Sequence, residues 1–330
     1  MRSALASVAM ACITLTPPIP AQATLASRVA SAPDGVVRVQ FDSRPGSCGD
    51  GRTMIGYRTM LFARDYSNVG KWRDQRCVPG PVRVALAVAG GVVTHVSTQL
   101  GGNWPGADGR VTDLGIVPAP EASAYFFALV PRLEAASTRD RLLLPAVLAD
   151  GGAVISPLLA LARDGARSDG TRRQALQWLG LLGDSSAVPV LVGFALRAPA
   201  DDERGSGLAA SAVAALGTIE DNAGIPALIQ LARGAPMATR RNAVFWLGQN
   251  DDPRGLRTLH AIVNDSTEDE RLREHAVFSL SQRDDPDSFD ALMRIARGDA
   301  NSRLRGKALF WLAQKHDPRV TALITELVLK

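Results

Sequence analysis

From residue 172 onward the chain repeats itself, and no other feature narrows its possible folds so far. The stretches RRQALQWLG (172–180), LAASAVAALG (208–217), RRNAVFWLG (240–248), LREHAVFSLS (272–281) and LRGKALFWLA (304–313) align on Ala175, Ala212, Ala243, Ala276 and Ala308. Four residues later each has a leucine: Leu179, Leu216, Leu247, Leu280 or Leu312. A small residue follows, Gly180, Gly217, Gly248, Ser281 or Ala313, and successive copies lie 37, 31, 33 and 32 residues apart. A spacing of four puts the Ala and Leu on one helix face, and the small residue lets a neighbouring helix come close. One such unit cannot bury its apolar faces alone; a stack of them forms a continuous core.

Nine residues after each alanine stands an acid: Asp184, Asp221, Asp252, Asp285 or Asp317. Each is expected to open a second apolar helix, in turn VPVLVGFAL, IPALIQLAR, GLRTLHAIV, SFDALMRIAR and VTALITELV. Asp252-Pro253, Asp285-Pro286 and Asp317-Pro318 suit a helix start. The carboxylate accepts from free backbone N–H groups, and proline lacks the N–H that the first helical position would leave unused. Because the acids recur in every copy, they read as caps and not as a metal or proton-transfer site. RLLLPAVLADGG (141–152) adds a degenerate sixth copy, and RAPADDERGSG (197–207) is a surface loop that accounts for the longest step. Trp178, Trp246 and Trp311 share one repeat position and read as core or ridge residues.

This order of Arg-x-x-Ala-x-x-x-Leu-Gly, a short turn with Asp, then a second apolar helix resembles HEAT repeats. It is similar in particular to the short bacterial kind found in phycobilisome-lyase-like proteins, over about residues 138–330. The resemblance implies a mainly α fold, a right-handed HEAT-like α-solenoid of about six helix pairs preceded by a small β-rich domain. Arg172, Arg240, Arg273 and Arg305 each precede the repeat alanine by three residues. In HEAT-like stacks such an arginine pairs with acids of the neighbouring unit to form a ladder; a partner-binding row is the alternative.

Residues 24–137 have a different rhythm. VVRVQF (36–41), RTMIGYRTMLFA (52–63) and PVRVALAVAGGVVTHVSTQLG (81–101) read as strands, the last a hairpin turning at Gly90-Gly91. Asp50, Asp108 and Asp113 lie in Gly-rich loops without the spacing of a calcium loop, and PAPEASAYFFALVPRL (118–133) begins helical character. Residues 1–23 carry an early Arg, an apolar run from Ala4 to Leu15 and a Pro-rich turn ending in Ala21-Gln22-Ala23. That is the order of a secretory signal peptide cleaved near Ala23, so the mature chain is expected in the periplasm or outside the cell. A lipoprotein reading at Cys12 is weaker, because Ala9 and Met10 match poorly upstream. Cys48 and Cys77 then remain, and an even count in an oxidising compartment favours a disulfide over a metal pair. No later segment reaches the roughly 18 apolar residues of a membrane span.

For function, composition mainly excludes. The net charge of +4 is mild for 330 residues, with 33 Arg against 4 Lys, too sparse a basic face to suggest nucleic-acid binding. HExxH, GxSxG, GxGxxG and Walker loops are absent. Deoxyhypusine hydroxylase also has HEAT-like repeats and binds iron through His-Glu pairs; this chain has no His-Glu dipeptide, only the reversed Glu274-His275. No catalytic, cofactor or metal residues are assigned. The reading is a non-enzymatic scaffold whose concave face, lined by the second helices, holds a protein partner with an acidic surface. Candidate contacts are Arg233, Arg257, His260, Arg294 and Arg297, although Arg233 and Arg297 also suit a helix end, where the dipole favours a cation. The alternative is an enzyme or small-ligand site at the junction of the β-rich region and the first repeats.

Overall fold

Strand alternation and helical spacing divide the chain in the computed structural model, which describes residues 23–52, 54–57, 60–63, 77–107, 109–134, 142–183, 185–197 and 207–329. Residues 1–22 of the expected signal peptide (1–23), Asp108, Asp184 and residues 198–206 of the surface loop lie outside the described residues.

A short helix α1 (Leu25–Ala30) leads into β1 (Gly35–Phe41), β2 (Ser47–Gly49), β3 (Met54–Tyr57), β4 (Met60–Ala63), β5 (Val82–Ala89), β6 (Val92–Leu100) and β7 (Val111–Ile116). Four strands form one sheet in the order β6-β5-β1-β7, antiparallel except that β7 runs parallel to β1; β2, β3 and β4 form a second, antiparallel sheet. Period-two burial on β5 sends Val82, Val84, Leu86 and Val88 inward, beside Val37, Val39 and Phe41 of β1. The expected hairpin forms: Ala89 pairs Val92 across Gly90 and Gly91, whose φ of 59° and 73° glycine adopts without strain. Cys48 on β2 is joined to Cys77 by a disulfide, with Cα atoms 5.1 Å apart. Helix α2 (Ala119–Leu133) contributes the buried Ala122, Phe126 and Val130, and Phe126 meets Phe41 with ring centroids 5.9 Å apart.

The helices that follow alternate as the repeat requires. The sixth, degenerate unit is α3 (Leu144–Val147) with α4 (Ile155–Arg163). Five full pairs come next: α5 (Asp169–Leu182) with α6 (Val188–Ala195), and α7 (Leu208–Thr218) with α8 (Ile225–Gly234). They continue as α9 (Met237–Gly248) with α10 (Pro253–Asn264), α11 (Glu270–Ser281) with α12 (Pro286–Gly298), and α13 (Ser302–Ala313) with α14 (Pro318–Val328). The fold is thus an α-solenoid behind a small β-rich region. Every repeat alanine and leucine, from Ala175 and Leu179 to Ala308 and Leu312, is buried.

The small residue after the leucine sets the spacing of first helices. A Cβ on Gly180 would lie 2.6 Å from Ala215 Cα, one on Gly217 2.5 Å from the Trp246 ring, and one on Gly248 2.6 Å from the Ser279 carbonyl oxygen. Three expected caps form as read: Asp252, Asp285 and Asp317 accept from the backbone N–H of Arg254, Ser288 and Arg319, with a proline at the first helical position. Asp221 departs from the pattern. It sits at φ 55° in a 3-10 turn (Glu220–Asn222), and Gly224 precedes α8 without a side-chain cap. Four residues more separate it from its proline, Pro226, than separate Asp252 from Pro253, so the turn closes before the helix starts.

The degenerate unit also departs from the others, because its first helix is a single turn. After it the backbone turns to the β region: Ser43 bridges Ala149, Arg44 N–H donates to the Leu148 carbonyl, and Asp150 N–H donates to the Asp42 carbonyl at 3.0 Å. The Arg44 side chain donates to the carbonyls of Val147, Ala149 and Gly152. Tyr57 of β3 meets Trp178 of α5 with centroids 5.8 Å apart. One apolar core therefore runs without a break from Leu25 to Leu323.

Candidate partner-binding cleft on the second helices

The repeat arginines occupy themselves with the solenoid. Arg172, Arg240 and Arg273 each donate Nε–H to a last-turn carbonyl of the preceding helix, Ala162, Ala232 and Val263, at 3.1, 2.8 and 2.9 Å. Arg305 makes the equivalent bond through Nη1 to the Asp299 carbonyl at 2.6 Å. Each thus satisfies a carbonyl that a helix end leaves free. Arg240 also forms a two-pronged ion pair with Glu268, which holds that carboxyl below the usual range, and Arg273 lies 3.9 Å from Asp299. The acids belong to the connection into the next repeat, so for these two arginines the ladder reading holds.

A second chain of contacts, which the repeat alignment did not point to, runs along the turns. Asn250 Nδ2 donates to Asn222 Oδ1 at 2.8 Å, the buried Arg283 donates to the Asn250 and Leu247 carbonyls, and Lys315 Nζ donates to the Arg283 carbonyl at 3.0 Å. The three donors share one repeat position, two residues before the capping aspartate. Their differing side chains hid the register in the sequence.

Cations of the second helices come together in one place. Helices α10 and α12 diverge around a cleft of about 650 Å³ lined by Leu256, Arg257, His260, Met293, Arg294 and Arg297, with Asp287, Asp290 and Arg319 at its edges. A smaller neighbouring cleft of about 190 Å³ shares His260 and Arg294. Four of the five expected contact residues therefore meet in one place. Arg233, exposed at the end of α8, does not line either cleft.

The charges in the cleft are unevenly satisfied. Arg297 pairs with Glu326 at 3.2 Å; Arg319 pairs with Asp317 at 2.9 Å and Asp290 at 3.4 Å, its guanidinium 4.1 Å from the Phe289 ring centroid. Arg257 and Arg294 are exposed and form no ion pair among the described residues. Nε2 of the half-buried His260 is shielded from solvent without a hydrogen-bond partner among the described residues. Burial and the Arg294 charge hold this imidazole below its ordinary pKa, despite Asp285 and Asp287. The sequence analysis did not single out Arg319; its place in the cleft follows from how α14 lies beside α12.

Elsewhere a cleft of about 700 Å³ opens between Gly-rich loops of the β region, with Asp50, Arg52 and Arg83 on its walls. Asp50 accepts from the backbone N–H groups of Arg52 and Met54, and Asp113 from that of Gly115, as turn residues do. At the junction of the β region and the first repeats, Tyr57 meets Trp178 and Arg44 bonds the carbonyls after α3. Among the described residues no group of three or more His, Cys, Asp or Glu is placed to hold a metal ion, and no helix is long and apolar enough to cross a membrane.

Comparison with known proteins agrees with this architecture. The HEAT-repeat family model matches residues 225–313, and that of the PBS lyase HEAT-like repeat matches residues 171–195 and 208–234. The region 171–313 is thus built of HEAT repeats, with the PBS lyase HEAT-like kind matched over its first two units. No curated protein matches it. Solved structures with similarity include human deoxyhypusine hydroxylase in complex with glycerol, at 16% identity and a TM-score of 0.30, covering 60% of this chain and 86% of that one. The complex of CpcE and CpcF of phycocyanin lyase from Nostoc sp. PCC7120 is another, at 16% identity and a TM-score of 0.24, covering 58% and 97%.

Proposed function

We propose that this chain is an exported, non-enzymatic scaffold that holds a protein partner against the concave, second-helix face of its solenoid. One observation carries the reading: Arg257, His260, Arg294 and Arg297 converge on a single cleft, and Arg257 and Arg294 form no ion pair among the described residues. Carbonyl bonds take up the four repeat arginines of the first helices, while second helices α10 and α12 gather their cations at one cleft. Stacked pairs present an extended surface of the kind used for protein contacts. An acidic partner surface complements it, and charge at the rim speeds encounter.

The test is crosslinking capture with the tagged full chain, against a variant carrying Glu at Arg233, Arg257, His260, Arg294 and Arg297. The expected result is one defined protein captured by the natural chain and lost from the variant. Equal capture by both baits overturns the assignment of this face. Export is tested on the same preparation, where a mature terminus at Thr24 is expected and an intact Met1 in the cell interior overturns it.

A further inference from the structure

The same cleft has a feature that a general protein-contact surface does not need. His260 stands on its wall with Nε2 unpaired and screened from solvent, where the 650 Å³ cleft meets the smaller one. The charges around it come from several elements. Its own helix α10 brings Arg257; α12 brings Asp287, Asp290, Arg294 and Arg297; the turn before α12 brings Arg283 and Asp285; α14 brings Arg319. The smaller cleft adds Asp299. Charged groups of α9 and α11, which pack behind α10, do not line either cleft.

Internal pairs remove most of these charges. Arg319 and Asp290 pair with each other, Arg297 with Glu326, Arg283 with Asp285, and Arg273 reaches Asp299. Arg257 and Arg294 remain against Asp287, a surplus of one positive charge that becomes two when His260 takes a proton. Leu256 and Met293 line the cleft as well, so it offers an apolar surface between its cations.

We propose that this cleft is a pH-tuned receptor for an acidic peptide segment, in which Arg257 and Arg294 hold a carboxylate and His260 takes up a solvent proton on binding. The inference rests on the reading that the second-helix face binds a partner, and adds the partner's chemistry and its regulation. In the free protein burial, and after it the Arg294 charge, disfavours the imidazolium. A carboxylate seated between the two arginines reverses the local field, favours the imidazolium and gives Nε2–H an acceptor. Binding that takes up a proton strengthens as pH falls.

The experiment measures binding of poly-L-glutamate, of about 20 residues, to the full chain at low ionic strength, where such contacts are least screened. His260 is followed by NMR, its signal assigned by its loss in His260→Gln. The expected result is an affinity about fivefold higher at about pH 6 than at about pH 7.5, within the roughly thirtyfold that uptake of one full proton over that range would supply. The His260 titration should move to higher pH in the bound state, and His260→Gln should bind with a flat pH profile. Arg257→Gln with Arg294→Gln should abolish binding, while Arg233→Gln should leave it unchanged. No binding of polyglutamate, binding that does not strengthen towards acid, or binding that survives loss of both arginines overturns the proposal. Inorganic phosphate reproducing the His260 shift at the same concentration also overturns it, showing an anion site without peptide character. A partner captured by the natural chain and still captured by Arg257→Gln with Arg294→Gln would overturn this inference alone, leaving the scaffold reading standing.

Discussion

Asp285 shows how much one repeat position can carry. Its carboxylate accepts from Ser288 N–H at 2.8 Å as the cap of α12, and it is 2.7 Å from Nε of Arg283, whose side chain is almost fully buried. Burial opposes its charge, but the bonds from Ser288 and Arg283 prevail and hold its carboxyl below the usual range. Asp317 caps α14 in the same way, but its arginine partner, Arg319, is exposed. Replacing Asp285 with Ala should therefore cost about 2–4 kcal/mol, a lost cap plus a buried guanidinium left without its partner. Asp317→Ala should cost clearly less. Because the folded-state pKa of Asp285 is depressed, its contribution is present above the unfolded value, about 3.9, and is lost as pH falls through the lower folded value. Denaturant titrations of the natural and Asp285→Ala chains should thus converge as pH drops below about 4. Equal costs at Asp285 and Asp317, or a gap independent of pH, would show that Asp285 acts as a cap only.

At the scale of elements, the glycines separate two roles that look alike in a sequence. Gly248 ends α9 where a Cβ would meet backbone and side chain of Ser279 on α11, and backbone has little room to move. Gly306, in the middle of α13, has nothing within 4 Å of a built Cβ. Gly248→Ala should destabilise by about 1–3 kcal/mol through overpacking between first helices. Gly306→Ala should stabilise by about 0.5–1 kcal/mol, since alanine restricts the unfolded chain and favours the helix. Thermal melts of the two single variants give opposite shifts if close helix packing, and not glycine content, sets the spacing of the stack.

The whole molecule is held by both local stacking and one covalent link. Helix pairs touch mainly their neighbours, yet the apolar core continues into the sheets, and Arg44 ties the β region to the turn after α3. The Cys48–Cys77 disulfide closes a loop with a sequence separation of 29. On the chain-entropy model, replacing both cysteines with serine should cost about 3–4 kcal/mol. The loss should appear as earlier unfolding of the β region together with the first repeats, read by the Trp178 share of the fluorescence, obtained as the difference from a Trp178→Phe chain, as Tyr57 moves away. Unchanged stability of the double variant under oxidising conditions would show that the cross-link constrains little.

The sequence by itself determined the solenoid, because helical spacing, small packing residues and Asp-Pro caps are local signals that recur from Ala175 to Asp317. It also identified the hairpin at Gly90-Gly91 and four of the residues that share the cleft. Tertiary structure alone decided what those signals meet. Asp221 became part of a turn because its distance from Pro226 left room to close one, and the first helix of the sixth unit stops after one turn, where Ala149 pairs with Ser43. Arg319 joined the cleft, and Arg233 stayed outside it, through the placement of helices. The physical reason is range. Caps and periodicity act within a turn or two of the chain, whereas a cleft is made where residues distant in sequence are brought together by a shared core.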